Sequence, residues 1–183
     1  MPEQLLVEHC APTLAGIKVG NLFSVTLEEG TDLRGELQEL NRLLNQKGLR
    51  AIPVRITGTR ALIFLYRPAD LSAALKDPEA KEILKLCGYR KGSLSCLLAQ
   101  LIGRMKHNAS FPHEIGLFLG YPPADVRGFI KSPSVGVKCA GYWKVYQNEE
   151  SARNTFRRYK KCTEVYCRLH ADGRPLSKMI VKR

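Results

Sequence analysis

Between residues 22 and 27 apolar and polar side chains alternate, with Phe23, Val25 and Leu27 on one side and Leu22, Ser24 and Thr26 on the other. That period of two predicts a strand with one apolar face. The period then changes. Leu33, Leu37, Leu40 and Leu44 recur at i, i+4, i+7 and i+11 on one helical stripe, which Thr31 or Asp32 can cap and Gly48 can end. From Leu49 to Arg67 β-branched and aromatic residues return in two arms, Ala51 to Ile56 and Arg60 to Tyr66. Thr57-Gly58-Thr59 splits them, so the pattern predicts a hairpin, with Pro53 marking an edge or a bulge.

A helical tract in pieces follows: Asp70 to Lys76, Pro78 to Cys87 and Ser93 to Lys106, then two short helices near Pro112 to Leu119 and Pro123 to Lys131. Beyond the loop Ser132 to Gly136, Val137 to Tyr146 favours strand, with Tyr142, Lys144 and Tyr146 on one side and Trp143 and Val145 on the other. The last long helix starts at Asn148, a good N-cap, and carries Ala152, Phe156, Tyr159, Thr163 and Tyr166 at helical spacing. Ser177 to Val181 is expected to be a final short strand, and Gln4 to His9 a short helix before irregular backbone at Pro12.

The resulting order, β-α-β-β-α(n)-β-α, predicts an α+β fold with an antiparallel sheet of about four strands, split-βαβ-like and covered by helices on one face. Its second crossover is expanded into a helical insertion over 67–135, and a basic C-terminal helix spans 148–171. A length of 183 residues suits a single domain over 1–183.

Composition adds charge to this picture. Lys and Arg number 29 against 17 Asp and Glu, a net charge of +12. Residues 151–183 hold ten Lys or Arg against Glu164 and Asp172, so most of the excess sits at one end. Arg153, Arg157, Lys160, Lys161 and Arg168 can line a face turned away from Phe156 and Tyr159, a stripe that attracts phosphates or an acidic protein, and Arg157, Arg158, Lys160 and Lys161 are that helix's candidate anion-binding residues. Tyr142, Trp143 and Tyr146 are candidate stacking surfaces for bases. The start MPEQLLVEHC lacks the regions of a secretory signal, so the six cysteines are expected to be free thiols in a reducing cytoplasm. Leu94 to Gly103, the most apolar stretch, is about half the roughly 20 residues a membrane span requires.

Three segments resemble a known family together. They are His9-Cys10-Ala11-Pro12-Thr13-Leu14 with Lys18 and Asn21-Leu22-Phe23; Phe111-Pro112-His113-Glu114-Ile115-Gly116 through Leu119-Gly120-Tyr121-Pro122 to Asp125-Val126-Arg127-Gly128-Phe129; and Gly141-Tyr142-Trp143-Lys144-Val145-Tyr146. In these the chain resembles the bacterial domain-of-unknown-function family 3793, over nearly its whole length. The resemblance implies no catalytic residue or ligand. It does imply a genomic setting near flavodoxin and iron-uptake functions, and hence a flavodoxin-like acidic protein as one partner to consider.

Candidate chemistry comes from residues in loops or at helix ends. Cys10, His113 and Glu114 are the candidate catalytic groups, since a thiol beside a histidine or helix end can become nucleophilic and a carboxylate or imidazole can move a proton. His9, Cys10, His113 and Cys139 are the candidate metal ligands. Adjacent helical residues point apart, so His9 is a poor activator of Cys10 and a partner such as His113 has to come from elsewhere in the fold. His113-Glu114-Ile115-Gly116-Leu117 begins like a zinc-protease helix but has Leu117 where the second histidine belongs. Neither a G-x-x-x-x-G-K-[ST] nor a G-x-G-x-x-G phosphate loop occurs, and no motif names a cofactor. Lys18 and Lys144 join the four helix cations as candidate anion-binding residues.

Three readings stay open: an accessory factor in redox or iron metabolism using the Cys/His set, a nucleic-acid or acidic-protein binding module using the basic helix, and an enzyme. The enzyme's pocket forms where Pro112 to Phe129 meets Gly141 to Tyr146. The first and third share one spatial expectation, that the thiol region around Cys10 folds against His113 and Trp143.

Overall fold

Residues 61–66 are apolar without interruption because their strand is buried on both faces. The computed structural model describes residues 3–107 and 111–182. Strand β3 (Arg60–Tyr66) is the centre of a three-stranded antiparallel sheet, between β1 (Gly20–Thr26) and β2 (Arg50–Thr57). Gly20 pairs with Tyr66 and Thr26 with Arg60 on one side; Arg50 pairs with Tyr66 and Thr57 with Arg60 on the other. β1 and β2 therefore run parallel with β3 between them, joined by helix α2 (Leu33–Gln46), which is the split-βαβ arrangement. Pro53 lies on the edge strand, where the register shifts between Pro53 and Arg55 and no ladder donor is needed from a proline. Asp32 caps α2 by accepting from the Gly35 amide at 3.0 Å.

β3 sends alternate residues to two cores. Ala61, Ile63 and Leu65 pack with Phe23, Val25, Leu37 and Leu44 and with helix α1 (Glu3–Leu14). Phe64 and Tyr66 pack against α3 (Pro68–Ala74), α4 (Pro78–Leu86), α5 (Leu94–His107), α6 (Ile115–Phe118) and α7 (Pro123–Lys131). Helices thus cover both sheet faces rather than the expected one. The long helix α8 (Glu149–Ala171), capped by Asn148 onto the Ser151 amide at 3.2 Å, packs along α1.

Three further expectations are corrected. Helix α1 continues through Pro12 instead of stopping near His9. The missing amide of one proline is offset by burying Leu6, Val7, Cys10, Ala11 and Leu14 on one face. The tail forms a short helix, α9 (Leu176–Met179), in place of a strand. Leu176, Met179 and Ile180 stand at i, i+3 and i+4 and are buried with α1's core face, a helical spacing that a strand would split between two sides.

The third correction concerns the fourth strand. Val137 to Tyr146 does not join the sheet; it folds into a small hairpin of β4 (Cys139–Ala140) and β5 (Lys144–Val145). Gly141 at its turn lies so close to Phe156 that a Cβ there would fall 2.4 Å from the ring. Past Val145 the ladder ends because the amides of Tyr146 and Gln147 donate to the Asp125 carboxylate instead, at 2.8 and 3.0 Å.

Arg67, which sequence patterning gave no reason to single out, is 1% exposed. It donates to the carbonyls of Thr13, Leu14 and Val181 at 2.8–2.9 Å, fastening the end of α1 and the tail to the sheet. Among the described residues no helix is long and apolar enough to cross a membrane.

Candidate functional site

Prolines and glycines shape the segment after α5 into two short helices that meet the β4–β5 hairpin. Pro123 starts α7 in its first turn, and Gly128 on that helix lets Tyr146 approach: a Cβ would lie 2.5 Å from the tyrosine ring. Between α6, α7 and the hairpin is a cavity of about 410 Å³. Its walls are aromatic, formed by Phe111, Tyr121, Phe129 and Trp143, with Ile115, Leu119 and Val126 behind them. Trp143 stacks on Tyr121 at 4.9 Å between centroids and meets Phe156 of α8 in a T-shaped contact at 4.5 Å, so α8 braces the wall.

Asp125 positions that wall. It is 4% exposed, and besides the two backbone amides it accepts from the Trp143 indole Nε1–H at 2.8 Å. With three donors on one carboxylate its charge is already answered from within the fold, which is how a buried anion is tolerated. An acid in the first turn of α7 reads from sequence as a helix-end charge, so nothing marked Asp125 as the organiser. At the rim, Lys144 donates to the Pro133 carbonyl at 2.8 Å and its ammonium lies 5.6 Å from the Phe129 centroid. His113 is exposed and stands edge-on to Phe129 at 4.9 Å. The cavity is therefore a largely apolar slot with one ammonium and one imidazole at its mouth, and the one carboxylate in its lining, Asp125, is already taken up by its three donors.

A family model described as "Protein of unknown function (DUF3793)" matches residues 6–180. The chain belongs to this family. The match spans both cores and every wall of the cavity in this DUF3793 chain. No curated protein and no solved structure matches it.

Of the residues singled out from sequence, the structure brings His113, Trp143 and Lys144 together around one cavity. Cys10 is not with them. It is 0% exposed in the core on the opposite face of the sheet, where burial pushes its thiol far up and keeps it protonated. His9, its neighbour on α1, is exposed on the other side of that helix. Cys139 is half-buried on β4. Among the described residues no three His, Cys, Asp or Glu side chains group as a metal requires, so the His9, Cys10, His113 and Cys139 quartet is dispersed.

Glu114 faces away from the cavity. Its buried carboxylate accepts from Arg104 Nε at 2.7 Å and the Tyr89 hydroxyl at 3.2 Å, tying α5 and the loop before it to α6. Lys18 is 5% exposed, donates to the Gly20 carbonyl at 2.6 Å and sits 5.4 Å from the Tyr121 ring. Burial pushes its pKa down to about 8. Arg157, Arg158, Lys160 and Lys161 are all exposed on α8. The candidate stacking rings are engaged in packing: Tyr142 against Phe156 and Tyr159, and Tyr146 through its hydroxyl to the Ser132 carbonyl at 2.9 Å.

Proposed function

We propose that this DUF3793 protein is a ligand-binding protein whose aromatic slot takes a small, flat, largely apolar molecule carrying one acidic group. The observation that carries the reading is the slot itself: about 410 Å³, within the roughly 300–1,000 Å³ of small-molecule sites, walled by four aromatic rings. Apolar contact with the rings that line the slot gives affinity, and the Lys144 ammonium with His113 at the mouth selects the acidic group. Lys144 spends one of its three N–H donors on Pro133 and keeps two for a ligand.

The test is fluorescence titration of Trp143, the chain's one tryptophan. 2-Naphthoate quenches it to saturation at one equivalent, about tenfold more tightly than neutral 2-naphthylmethanol, a difference that corresponds to one charge-assisted contact. Lys144→Met removes that preference while leaving the alcohol's affinity in place. Quenching by neither compound, or equal affinity for both in the parent protein, contradicts the reading.

A second reading is favoured by the four exposed cations of α8. The ion pair formed by that helix's described side chains joins Arg153 to Glu149 and leaves those four out of it. The stripe fits an acidic protein, such as a flavodoxin-like carrier, better than nucleic acid, because Tyr142 and Trp143 are packed against Tyr121, Phe156 and Tyr159 and Tyr146 is tied to the Ser132 carbonyl. Neutralising Arg157, Arg158, Lys160 and Lys161 together abolishes low-salt binding to such a carrier if this reading holds; unchanged binding, or none by the parent chain, removes it. A redox or iron role through the Cys/His set draws no support from this geometry, with the groups dispersed and Cys10 sealed.

A further inference from the structure

A second cavity, of about 640 Å³, opens on the far side of Glu114, between α3, α4 and the start of α5. Its lining carries five cations, Lys76, Lys81, Lys85, Arg90 and Lys91, against one acid, Glu82. That acid is already engaged: Glu82 accepts from Arg127 at 2.8 Å, outside the cavity lining. The other carboxylates of the α4 first turn are committed too. Asp77 caps the helix by accepting from the amides of Glu79 and Ala80, and Glu79 pairs with Arg127 at 3.1 Å. None of the five cations is held by a carboxylate in any described ion pair.

The loop that presents Arg90 and Lys91 is built rather than slack. Gln100 on α5 grips the Arg90 backbone from both sides, accepting its amide at 2.7 Å and donating to its carbonyl at 3.0 Å. Gly92 then passes so close to α5 that a Cβ would lie 2.8 Å from Cys96. Beneath the cations the floor is apolar, made by Leu75, Leu84, Leu94 and Leu97 beside the Tyr89 ring.

We infer that this cavity is a binding site for an organic phosphate, a multiply charged headgroup on an apolar or aromatic body. A single carboxylate would answer one of the five cations that no described ion pair holds, whereas a phosphate or diphosphate presents two or three charges and several acceptors at once. The leucine floor calls for a body as well as a headgroup, and the volume matches a small organic ligand. The site is separate from the aromatic slot, shares none of its lining residues, and stands or falls independently of it.

The test is isothermal titration of the full chain in low-salt, phosphate-free buffer with three probes: inorganic phosphate, adenosine 5′-diphosphate, and lysophosphatidic acid below its micelle concentration. At least one organic phosphate binds at one equivalent and about tenfold or more tighter than inorganic phosphate, since only it uses the floor. Tighter binding of the nucleotide identifies a soluble ligand, and tighter binding of the lysolipid identifies a lipid. The variant Lys81→Gln/Lys85→Gln/Lys91→Gln alters exposed side chains only, keeps its melting temperature, and weakens that binding about tenfold or more. The control Lys160→Gln/Lys161→Gln on α8 leaves it unchanged. The inference is overturned if neither organic phosphate binds more tightly than inorganic phosphate, or if the α8 control weakens binding as much as the cavity variant does.

Discussion

Replacing Asp125 by asparagine tests whether one carboxylate holds the aromatic wall in place. Asp125 Oδ1 accepts the amides of Tyr146 and Gln147, and Oδ2 accepts the Trp143 indole N–H at 2.8 Å. An asparagine can keep its carbonyl on the two backbone amides, but its NH₂ then faces the indole donor. Flipping the amide is worse, because two backbone donors then face the NH₂. Losing one hydrogen bond to a charged acceptor costs about 1.5–3 kcal/mol, and the two that remain weaken as the acceptor becomes neutral. The total is about 3 kcal/mol, a large share of the roughly 5–15 kcal/mol that stabilises an ordinary domain and still compatible with folding. Urea unfolding followed by far-ultraviolet circular dichroism measures this loss, and the native emission maximum of Trp143 shifts to the red as its N–H turns to water. A stability change under about 0.5 kcal/mol with unchanged emission refutes the reasoning, since it would show that Asp125 is not what fixes Trp143.

Three further predictions address the buried charges and thiols. Lys18→Met stabilises the fold by about 1–3 kcal/mol at pH 7, because a displacement from 10.5 to about 8 corresponds to about 3 kcal/mol, less the Gly20 hydrogen bond. The penalty is full below pH 8 and fades towards 10.5, where the unfolded chain holds the extra proton and the parent's stability rises with pH; a pH-independent difference between variant and parent in denaturation curves contradicts this. Arg67→Met costs roughly 2–4 kcal/mol in the same assay, as buried carbonyls of Thr13 and Leu14 lose a charged donor; a change near zero would mean that the tail is not fastened there. Iodoacetamide labels Cys96 in the native protein and leaves Cys10 untouched until the chain unfolds, as mass spectrometry of peptides can read; early modification of Cys10 would reopen the thiol chemistry.

How much of this was written in the sequence depends on how local each signal is. The α2 stripe, the hairpin around Gly58, the proline start of α7 and the Asn148 cap are set by neighbours a few residues apart, and each stands where patterning placed it. The 137–146 segment has strand composition, yet Asp125, some twenty residues earlier, takes the amides a ladder would need. Cys10 carried a signal that adjacency to His9 obscured: Leu6, Cys10 and Leu14 are spaced by four, which puts the thiol on the buried stripe. The approach of Phe111–Phe129 to the tryptophan turn could be anticipated as a cavity, but the cationic cavity could not. Its Lys76, Lys81, Lys85, Arg90 and Lys91 come from α4 and the connections on either side of it, and in the sequence they look like ordinary solvated charges.

The most direct measurement is a crystal structure of the protein soaked with 2-naphthoate. The account predicts the naphthalene ring lying among Tyr121, Phe129 and Trp143, with its carboxylate within hydrogen-bonding reach of Lys144 Nζ. A naphthoate bound elsewhere on the molecule, or an aromatic slot that stays empty at saturating concentration, would contradict it.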